Sequence, residues 1–127
     1  MKTVDVAAAI IEKGGKFLIA KRKAGRHLSG KWEFPGGKIE QGETPEACLE
    51  RELREEFGIE TETLGFVAES VFDYGEKKIR LLGYRSHYIS GEFELNDHDE
   101  VQWIDITDFN RYDFAEADLP LIKALQS

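Results

Sequence analysis

The order of apolar and polar residues along the chain predicts mainly strands. Thr3 to Ile11 is rich in apolar and β-branched residues, Gly14-Gly15 supplies a turn, and Phe17 to Ala20 is apolar again. This region is therefore predicted to form a β-hairpin. Further strands are predicted at Trp32–Phe34, Leu64–Tyr74, Lys77–Ile89 and Val101–Ile104.

A different periodicity predicts a helix over Thr44 to Phe57. Its apolar residues recur at intervals of four, at Leu49, Leu53 and Phe57, which places them on one helix face. Thr44 is the predicted N-cap, Pro45 suits the first helical position, and Gly58 is a natural C-terminal stop. A second helix is predicted at Ala117–Leu125. Strands combined with two helices predict an α/β fold, a helix–sheet–helix sandwich with a mixed β-sheet.

Length and composition predict a single globular domain over residues 1–127. The hydrophobic and charged contents of 41% and 33% are typical of folded soluble domains, and no linker or repeat divides the chain. No apolar run approaches the ~20 residues of a membrane helix. Cys48 is the only cysteine, which excludes a disulfide framework within one chain and predicts a small core residue. With an N-terminus that leads directly into a strand, we expect a cytoplasmic protein without a signal peptide, and a monomer rather than a dimer.

The formal net charge of −8 restricts the possible partners. It provides no positive surface for nucleic acid, so DNA and RNA are not expected ligands. It would also repel a free polyphosphate, unless divalent cations mediate the contact.

Three carboxylates on the predicted helix suggest where such cations would bind. Glu52, Glu55 and Glu56 share one helix face and repel one another. Hard oxygen ligands at this spacing suit Mg²⁺, with Mn²⁺ as an alternative. An ordinary solvated acidic face is the competing interpretation.

Metal binding is favoured over a solvated acidic face when the helix is considered together with the loop before it, because Gly37 to Ile59 resembles the Nudix box. The box has Gly, five residues, Glu, seven residues, Arg-Glu, an aliphatic residue, any residue, Glu-Glu, any residue, Gly and an aliphatic residue. Every specified position is matched here, by Gly37, Glu43, Arg51, Glu52, Leu53, Glu55, Glu56, Gly58 and Ile59. The resemblance implies the Nudix fold.

The same resemblance implies roles for the box residues. Glu52, Glu55 and Glu56 would be metal ligands, together with the carbonyl of Gly36, and Glu52 would also orient or deprotonate the attacking water. Glu43 and Arg51 would form a structural ion pair between loop and helix. Gly37 would permit tight loop geometry, since it has no Cβ.

The segment Glu33 to Glu40, the Val6 to Ile11 strand and the total length resemble the MutT-type group. That group hydrolyses nucleoside triphosphates to monophosphate and pyrophosphate by attack of water on the β-phosphorus. The group includes 8-oxo-dGTP diphosphatases and enzymes that act on CTP or modified dCTP, and so sanitises the nucleotide pool. Arg22 matches a phosphate-contacting arginine, and Lys38 could assist it. Asp97 is the best match for an additional metal-facing acid, with Asp99 and Glu100 as neighbouring alternatives.

The preferred base depends on Asp118, which aligns with an asparagine that contacts the base in the 8-oxo-dGTP enzymes. An ionised carboxylate only accepts hydrogen bonds, so it favours guanine N1–H and N2–H₂. Cytosine would suit it if N3 found another donor or shared a proton with Asp118, and the CTP-preferring enzymes resemble this chain in carrying Asp here. Alternatively, Asp118 is the N-cap of the last helix. Phe34 and Tyr74 could wall the base pocket, or belong to the core.

Two features are interpreted as non-functional. Gly25 to Lys31 resembles a P-loop, but Trp32 replaces the required Ser or Thr. His98 is expected to be a solvent-exposed loop residue, although its place beside Asp97 leaves contact with a metal site as the alternative. Hydrolysis of a nucleoside diphosphate-sugar or dinucleotide, or a non-catalytic nucleotide-binding module, are the alternative functions.

Overall fold

The computed structural model describes residues 2–25 and 27–127. In these residues the chain forms β1 (Lys2–Lys13), β2 (Lys16–Arg22), β3 (Trp32–Glu33), β4 (Gly36–Lys38), α1 (Pro45–Phe57), β5 (Glu60–Asp73), β6 (Lys77–Ser90), β7 (His98–Ile104) and α2 (Leu119–Leu125). Short 3₁₀ helices at Ile106–Arg111 and Glu116–Asp118 precede α2. Neither α-helix among the described residues has the length and apolar character needed to cross a membrane.

The strands form a mixed sheet in the order β3-β2-β1-β6-β5. β4 adds to β1, and β7 adds to β2. The β1 and β6 strands run parallel, whereas the other pairs are antiparallel. The mixed sheet is confirmed.

Side chains of β1 alternate between two cores, one on each side of the sheet. Ala7, Ala9 and Ile11 pack with the apolar stripe of α1. Ala8 and Ile10 pack on the opposite side, with Leu121 of α2. Because both faces of the strand are buried between Ala7 and Ile11, this part of its sequence is continuously apolar instead of alternating. The predicted helix–sheet–helix sandwich is thus confirmed.

The ends of α1 are confirmed in detail. The Thr44 hydroxyl accepts a hydrogen bond from the Ala47 backbone N–H at 3.1 Å. Gly58 has a left-handed φ of 68° and donates its N–H to the Arg54 carbonyl at 3.0 Å. Glycine adopts this conformation without the Cβ conflict of other residues.

Several predicted boundaries are wrong. β5 begins at Glu60 and not at Leu64, β7 begins at His98 and not at Val101, and α2 begins only at Leu119. β4 was not predicted at all, because its sequence contains two glycines, which have low strand propensity. Pairing with β1 extends it nevertheless, an instance of tertiary contacts overriding local preference.

β4 approaches β1 so closely that no side chain fits at Gly36. A Cβ at this position would lie 1.9 Å from the carbonyl oxygen of Ala7. The neighbouring chain is fixed by hydrogen bonds from the Ala9 N–H to the Pro35 carbonyl at 2.7 Å and from the Ile39 N–H to the Asp5 carbonyl at 2.9 Å. The position of the Gly36 carbonyl is therefore set by β1.

We predict that Gly36→Ala lowers the free energy of unfolding by about 2 kcal/mol or more, because the new Cβ must displace β4 from β1. Gly65→Ala is the matched control, since no atom lies within 4 Å of a Cβ at that position. Its expected change is below about 0.5 kcal/mol. Urea denaturation of both variants tests this, and equal stabilities would contradict the close approach.

Candidate functional site

Two adjoining cavities lie beside β4. The first, which we call the Asp118 cavity, has a volume of about 150 Å³ and is lined by Val6, Ala7, Arg22, Glu33, Phe34, Gly36, Gly37, Lys38, Leu81 and Asp118. The second, the carboxylate cavity, has a volume of about 170 Å³ and is lined by Arg22, Glu33, Gly36, Gly37, Glu52, Glu56, Asp97 and His98. Four residues are common to both, so the two cavities share a boundary.

The carboxylate cavity brings acids of α1 together with Asp97. Burial, a hydrogen bond with Asp97 and the charge of Asp97 raise the pKa of Glu56 to about 7. Its Oε2 atom is buried, and no N–H group or hydroxyl of the described residues donates to it. Burial also raises the pKa of Glu52, against the opposing effect of Arg51. This donor set fits a divalent cation, which would offset both the burial and the like-charge repulsion that raise the two pKa values.

Glu55 lies outside both cavities. Its carboxylate is exposed and accepts a hydrogen bond from Arg51 Nη1 at 3.0 Å. The structure therefore does not bring the three box glutamates together, and the acids of the described residues form no complete metal-ligand cluster by themselves.

Arg51 connects the loop to the helix, as the box resemblance implied. Its Nε and Nη2 atoms donate to the two carboxylate oxygens of Glu43, at 2.6 and 3.0 Å. This hydrogen bonding lowers the pKa of Glu43 to about 2. Nη1 also donates to Glu52 Oε1 at 3.0 Å, so one cation fixes both the loop and a carboxylate of the cavity.

Gly37 is required by the close approach of Glu52 and not by an unusual φ. A Cβ at Gly37 would lie 2.3 Å from Glu52 Cδ. Cys48 is fully buried behind this segment, as predicted for a core residue. Burial raises the pKa of its thiol to about 12, which excludes a thiolate nucleophile at neutral pH.

Asp118 is the buried acid of its cavity. It is 4% exposed, and its Oδ2 atom accepts a hydrogen bond from the Phe34 backbone N–H at 2.9 Å. Burial and the nearby charge of Glu33 raise its pKa well above the usual value, although the Phe34 N–H and Arg22 oppose the shift. Asp118 occupies the N-cap position of α2, as the alternative interpretation predicted, but its side chain makes no capping hydrogen bond to that helix.

The other predicted substrate residues divide between the cavities and the core. Phe34 and Lys38 line the Asp118 cavity, and Arg22 lines both cavities. Tyr74 lines neither one. Its hydroxyl accepts a hydrogen bond from the Ala117 N–H at 2.9 Å, and its ring packs against Phe72 in the core next to α2.

Sequence reasoning missed Glu33 and misplaced His98. The expectation of an exposed loop histidine is wrong, since His98 is 6% exposed and begins β7. Its Nε2 atom lies 2.8 Å from Glu33 Oε2, and its ring stacks on Phe57 with centroids 5.0 Å apart. A charged residue between Trp32 and Phe34 in a predicted strand was the available signal for Glu33.

We predict that stability in EDTA falls as pH rises from about 4.5 through 7, because folded Glu56 holds its proton over this range while the unfolded chain has released it. The expected loss is on the order of 1 kcal/mol after screening. Glu56→Gln should abolish this part of the pH dependence, whereas Glu55→Gln, an exposed neighbour on the same helix, should retain it. Thermal unfolding between pH 4.5 and 8 measures the effect, and identical slopes for wild type and Glu56→Gln would refute the assignment.

Comparison with known proteins agrees with this geometry. The NUDIX domain family model matches residues 1–125. The chain is 37% identical over 127 residues to the CTP pyrophosphohydrolase of Escherichia coli strain K12, covering 100% of this chain and 94% of that protein. It is 33% identical over 127 residues to the 8-oxo-dGTP diphosphatase of the same organism, covering 99% and 98%.

Solved structures show the same fold. The solution structure of the E. coli ORF135 protein has a TM-score of 0.84 and 37% identity, covering 99% of this chain and 90% of that one. The MutT protein of Methanosarcina mazei Go1 has a TM-score of 0.89 and 23% identity, covering 98% and 94%. The chain therefore belongs to the Nudix family of phosphoanhydride hydrolases, as the box residues and their loop predicted.

Proposed function

We propose that this protein is a Mg²⁺-dependent pyrophosphohydrolase that converts a nucleoside triphosphate to the monophosphate and pyrophosphate, as part of nucleotide-pool sanitising. The observation that carries the proposal is the shared boundary of a carboxylate cavity and a cavity with a buried acid, with Arg22 lining both. The relatives named CTP pyrophosphohydrolase and 8-oxo-dGTP diphosphatase, matched over nearly their full lengths, support it.

A single domain over residues 1–127, acting as a cytoplasmic monomer, suffices for this function. The residues of one chain line both cavities, and a net charge of −8 disfavours a nucleic acid as substrate.

Glu52, Glu56, Asp97 and the Gly36 carbonyl would hold Mg²⁺, which Mn²⁺ could replace. Glu55 would join them by exchanging its hydrogen bond with Arg51 for the cation. When bound, the ion neutralises charge on the bridging phosphates and so makes a triphosphate acceptable to an acidic protein.

Glu52 is the proposed base for the attacking water. Arg51 holds its Oε1 atom, which leaves Oε2 to orient the water and accept its proton. The raised pKa of Glu52 makes it a better base than an exposed carboxylate. The water would attack the β-phosphorus and the nucleoside monophosphate would leave, while Arg22 and Lys38 bind the phosphates.

The environment of Asp118 favours a cytosine base. A protonated Asp118 still accepts the Phe34 N–H through Oδ2, and its hydroxyl can donate to the acceptor N3 of cytosine. The Glu33 carboxylate, in the same cavity, can accept from the N4 amino group. Guanine presents two adjacent donors, N1–H and N2–H₂, which a protonated carboxyl satisfies poorly. CTP and its deoxy or modified forms are therefore the proposed substrates.

We predict Mg²⁺-dependent release of pyrophosphate from CTP and dCTP, and slower release from dGTP and 8-oxo-dGTP. Phosphate detection after addition of pyrophosphatase measures it, with EDTA as the metal-free control. Glu52→Gln should lower kcat about 10²- to 10⁴-fold, whereas Glu62→Gln, on the exposed surface of β5, should not change it. The absence of turnover with every triphosphate would refute the proposed reaction.

We predict that the KM for CTP rises with pH as Asp118 loses its proton, since the donor to N3 is then lost. The raised pKa places this change above the usual aspartate range, and the expected rise is about tenfold. Asp118→Asn should remove the pH dependence, because an amide donates at every pH. Asp113→Asn is the control, since that side chain is 74% exposed and bonded to Lys31. A pH profile of Asp118→Asn identical to that of the wild type would refute this role.

A further inference from the structure

A register shift between β2 and β7, with Asp99 of β7 as the extra residue, determines which residues meet at the boundary of the two cavities. Ala20 of β2 lies opposite Val101 of β7, and a regular ladder would place Arg22 opposite Asp99. The register shifts between Lys21 and Arg22 instead, so that Arg22 lies opposite His98. One extra residue therefore turns His98 to the side of the sheet that a regular ladder would give to Asp99.

Three neighbouring strands then present three polar residues on the same side of the sheet. Glu33 of β3 lies opposite Ala20, and Ala20 packs in the core on the α1 side. Paired residues share a face, and alternate residues along a strand do so too. Arg22, Glu33 and His98 are consequently neighbours beside the C-terminal end of α1, where His98 stacks on Phe57.

Glu33 is held between two donors. His98 Nε2 lies 2.8 Å from Glu33 Oε2 and must carry the proton, because an ionised carboxylate only accepts. Arg22 Nη1 donates to both carboxylate oxygens at 3.2 Å. The other ring nitrogen of His98, Nδ1, is buried without a hydrogen-bond partner among the described residues, so the contact with Glu33 is the ring's only hydrogen bond there.

These contacts orient the Arg22 guanidinium but do not occupy all of its hydrogen-bond donors. Its Nε atom donates to the His27 carbonyl at 2.6 Å, and Nη1 is held by Glu33. Its Nη2 group has no hydrogen-bond partner among residues 2–25 and 27–127. A guanidinium has five donors in a fixed plane, so two fixed contacts determine where the remaining donors lie.

We propose that His98 is a positioning residue for substrate binding, which acts through Glu33 to hold the Arg22 guanidinium at the boundary of the two cavities, where it binds the phosphate chain. This inference rests on the proposed function, because it requires a polyphosphate substrate. Without the His98 N–H, the Glu33 carboxylate is held by Arg22 alone, so the Arg22 guanidinium keeps only its Nε contact with the His27 carbonyl as an independent anchor. Phosphate binding weakens, while the acids of the carboxylate cavity keep their places.

The experiment measures the binding of α,β-methylene CTP, which is not cleaved at the bridging carbon, by calorimetry with Mg²⁺, together with KM and kcat for CTP. His98→Leu should raise Kd and KM about tenfold and change kcat less than about twofold, as expected for a contact made equally in ground and transition states. His98→Gln, whose amide can donate to Glu33, should recover most of the affinity. His87→Leu, an exposed histidine on β6, is the matched control and should behave as wild type.

Coupling to Arg22 provides a readout that a purely structural role would not change. Arg22→Gln should weaken binding by itself, and adding His98→Leu to it should cause little further loss, because both act on the same contact. Additive losses, a fall in kcat at constant KM, or failure of His98→Gln to recover affinity would overturn the proposal.

Two further results distinguish a failure of this inference from a failure of the proposed function. If His98→Leu does not fold, Glu33→Gln leaves His98 on Phe57 and is tested with methylenediphosphonate, which lacks the base that Glu33 is proposed to contact: a raised Kd is expected, and an unchanged Kd overturns the inference. A wild-type protein that neither binds the analogue nor hydrolyses any triphosphate contradicts the proposed function itself, and the inference with it. A wild type that binds while all variants match it contradicts the inference alone.

Discussion

Glu52, Glu56 and Asp97 crowd three carboxylates around a cavity of about 170 Å³, in a chain whose net charge is already −8. Burial, followed by the hydrogen bond with Asp97 and the repulsion of the neighbouring acids, raises the pKa of Glu56 to about 7. Protonation and cation binding are the two ways to relieve such crowding. A divalent cation would do so without removing the negative charge that activates water, and it would also offset the charge of a polyphosphate. The same carboxylates thus favour a metal and, under the proposed function, would make the substrate acceptable through it.

Arg51 holds the loop and the helix together in spite of the repulsion between the carboxylates. It is the only cation that contacts both the loop acid Glu43 and the helix acid Glu52 among the described residues. Since Glu43 accepts from two guanidinium nitrogens, the loop cannot rotate away from the helix without losing both bonds. Gly37 then lies against Glu52 with no room for a Cβ. The Glu52 carboxylate is therefore fixed from both sides.

The parts of the structure that could be predicted from sequence are those determined by neighbours along the chain. The apolar run of β1, the capped helix α1 and the box residues follow from periodicity, capping chemistry and a fixed spacing. The missed parts depend on distant contacts. β4 exists because Gly36 fits against Ala7, and His98 enters the site because the β2–β7 register shifts by one residue. Neither close backbone packing nor a register shift produces a periodic pattern in the sequence. The positions of Glu33 and His98 in the site could therefore be identified only from the folded structure.

Burial determines the chemistry of each acid more strongly than its residue type does. Asp113 and Asp118 are five residues apart, yet Asp113 is exposed and paired with Lys31, while Asp118 is enclosed beside Glu33. An exposed carboxylate offers only acceptors, and that property favoured guanine when the sequence alone was considered. An enclosed carboxyl that retains its proton offers one donor as well. Under the proposed function, the base complementary to Asp118 is therefore not a pair of donors but an edge with an acceptor beside a donor, which is the pattern of cytosine N3 and N4.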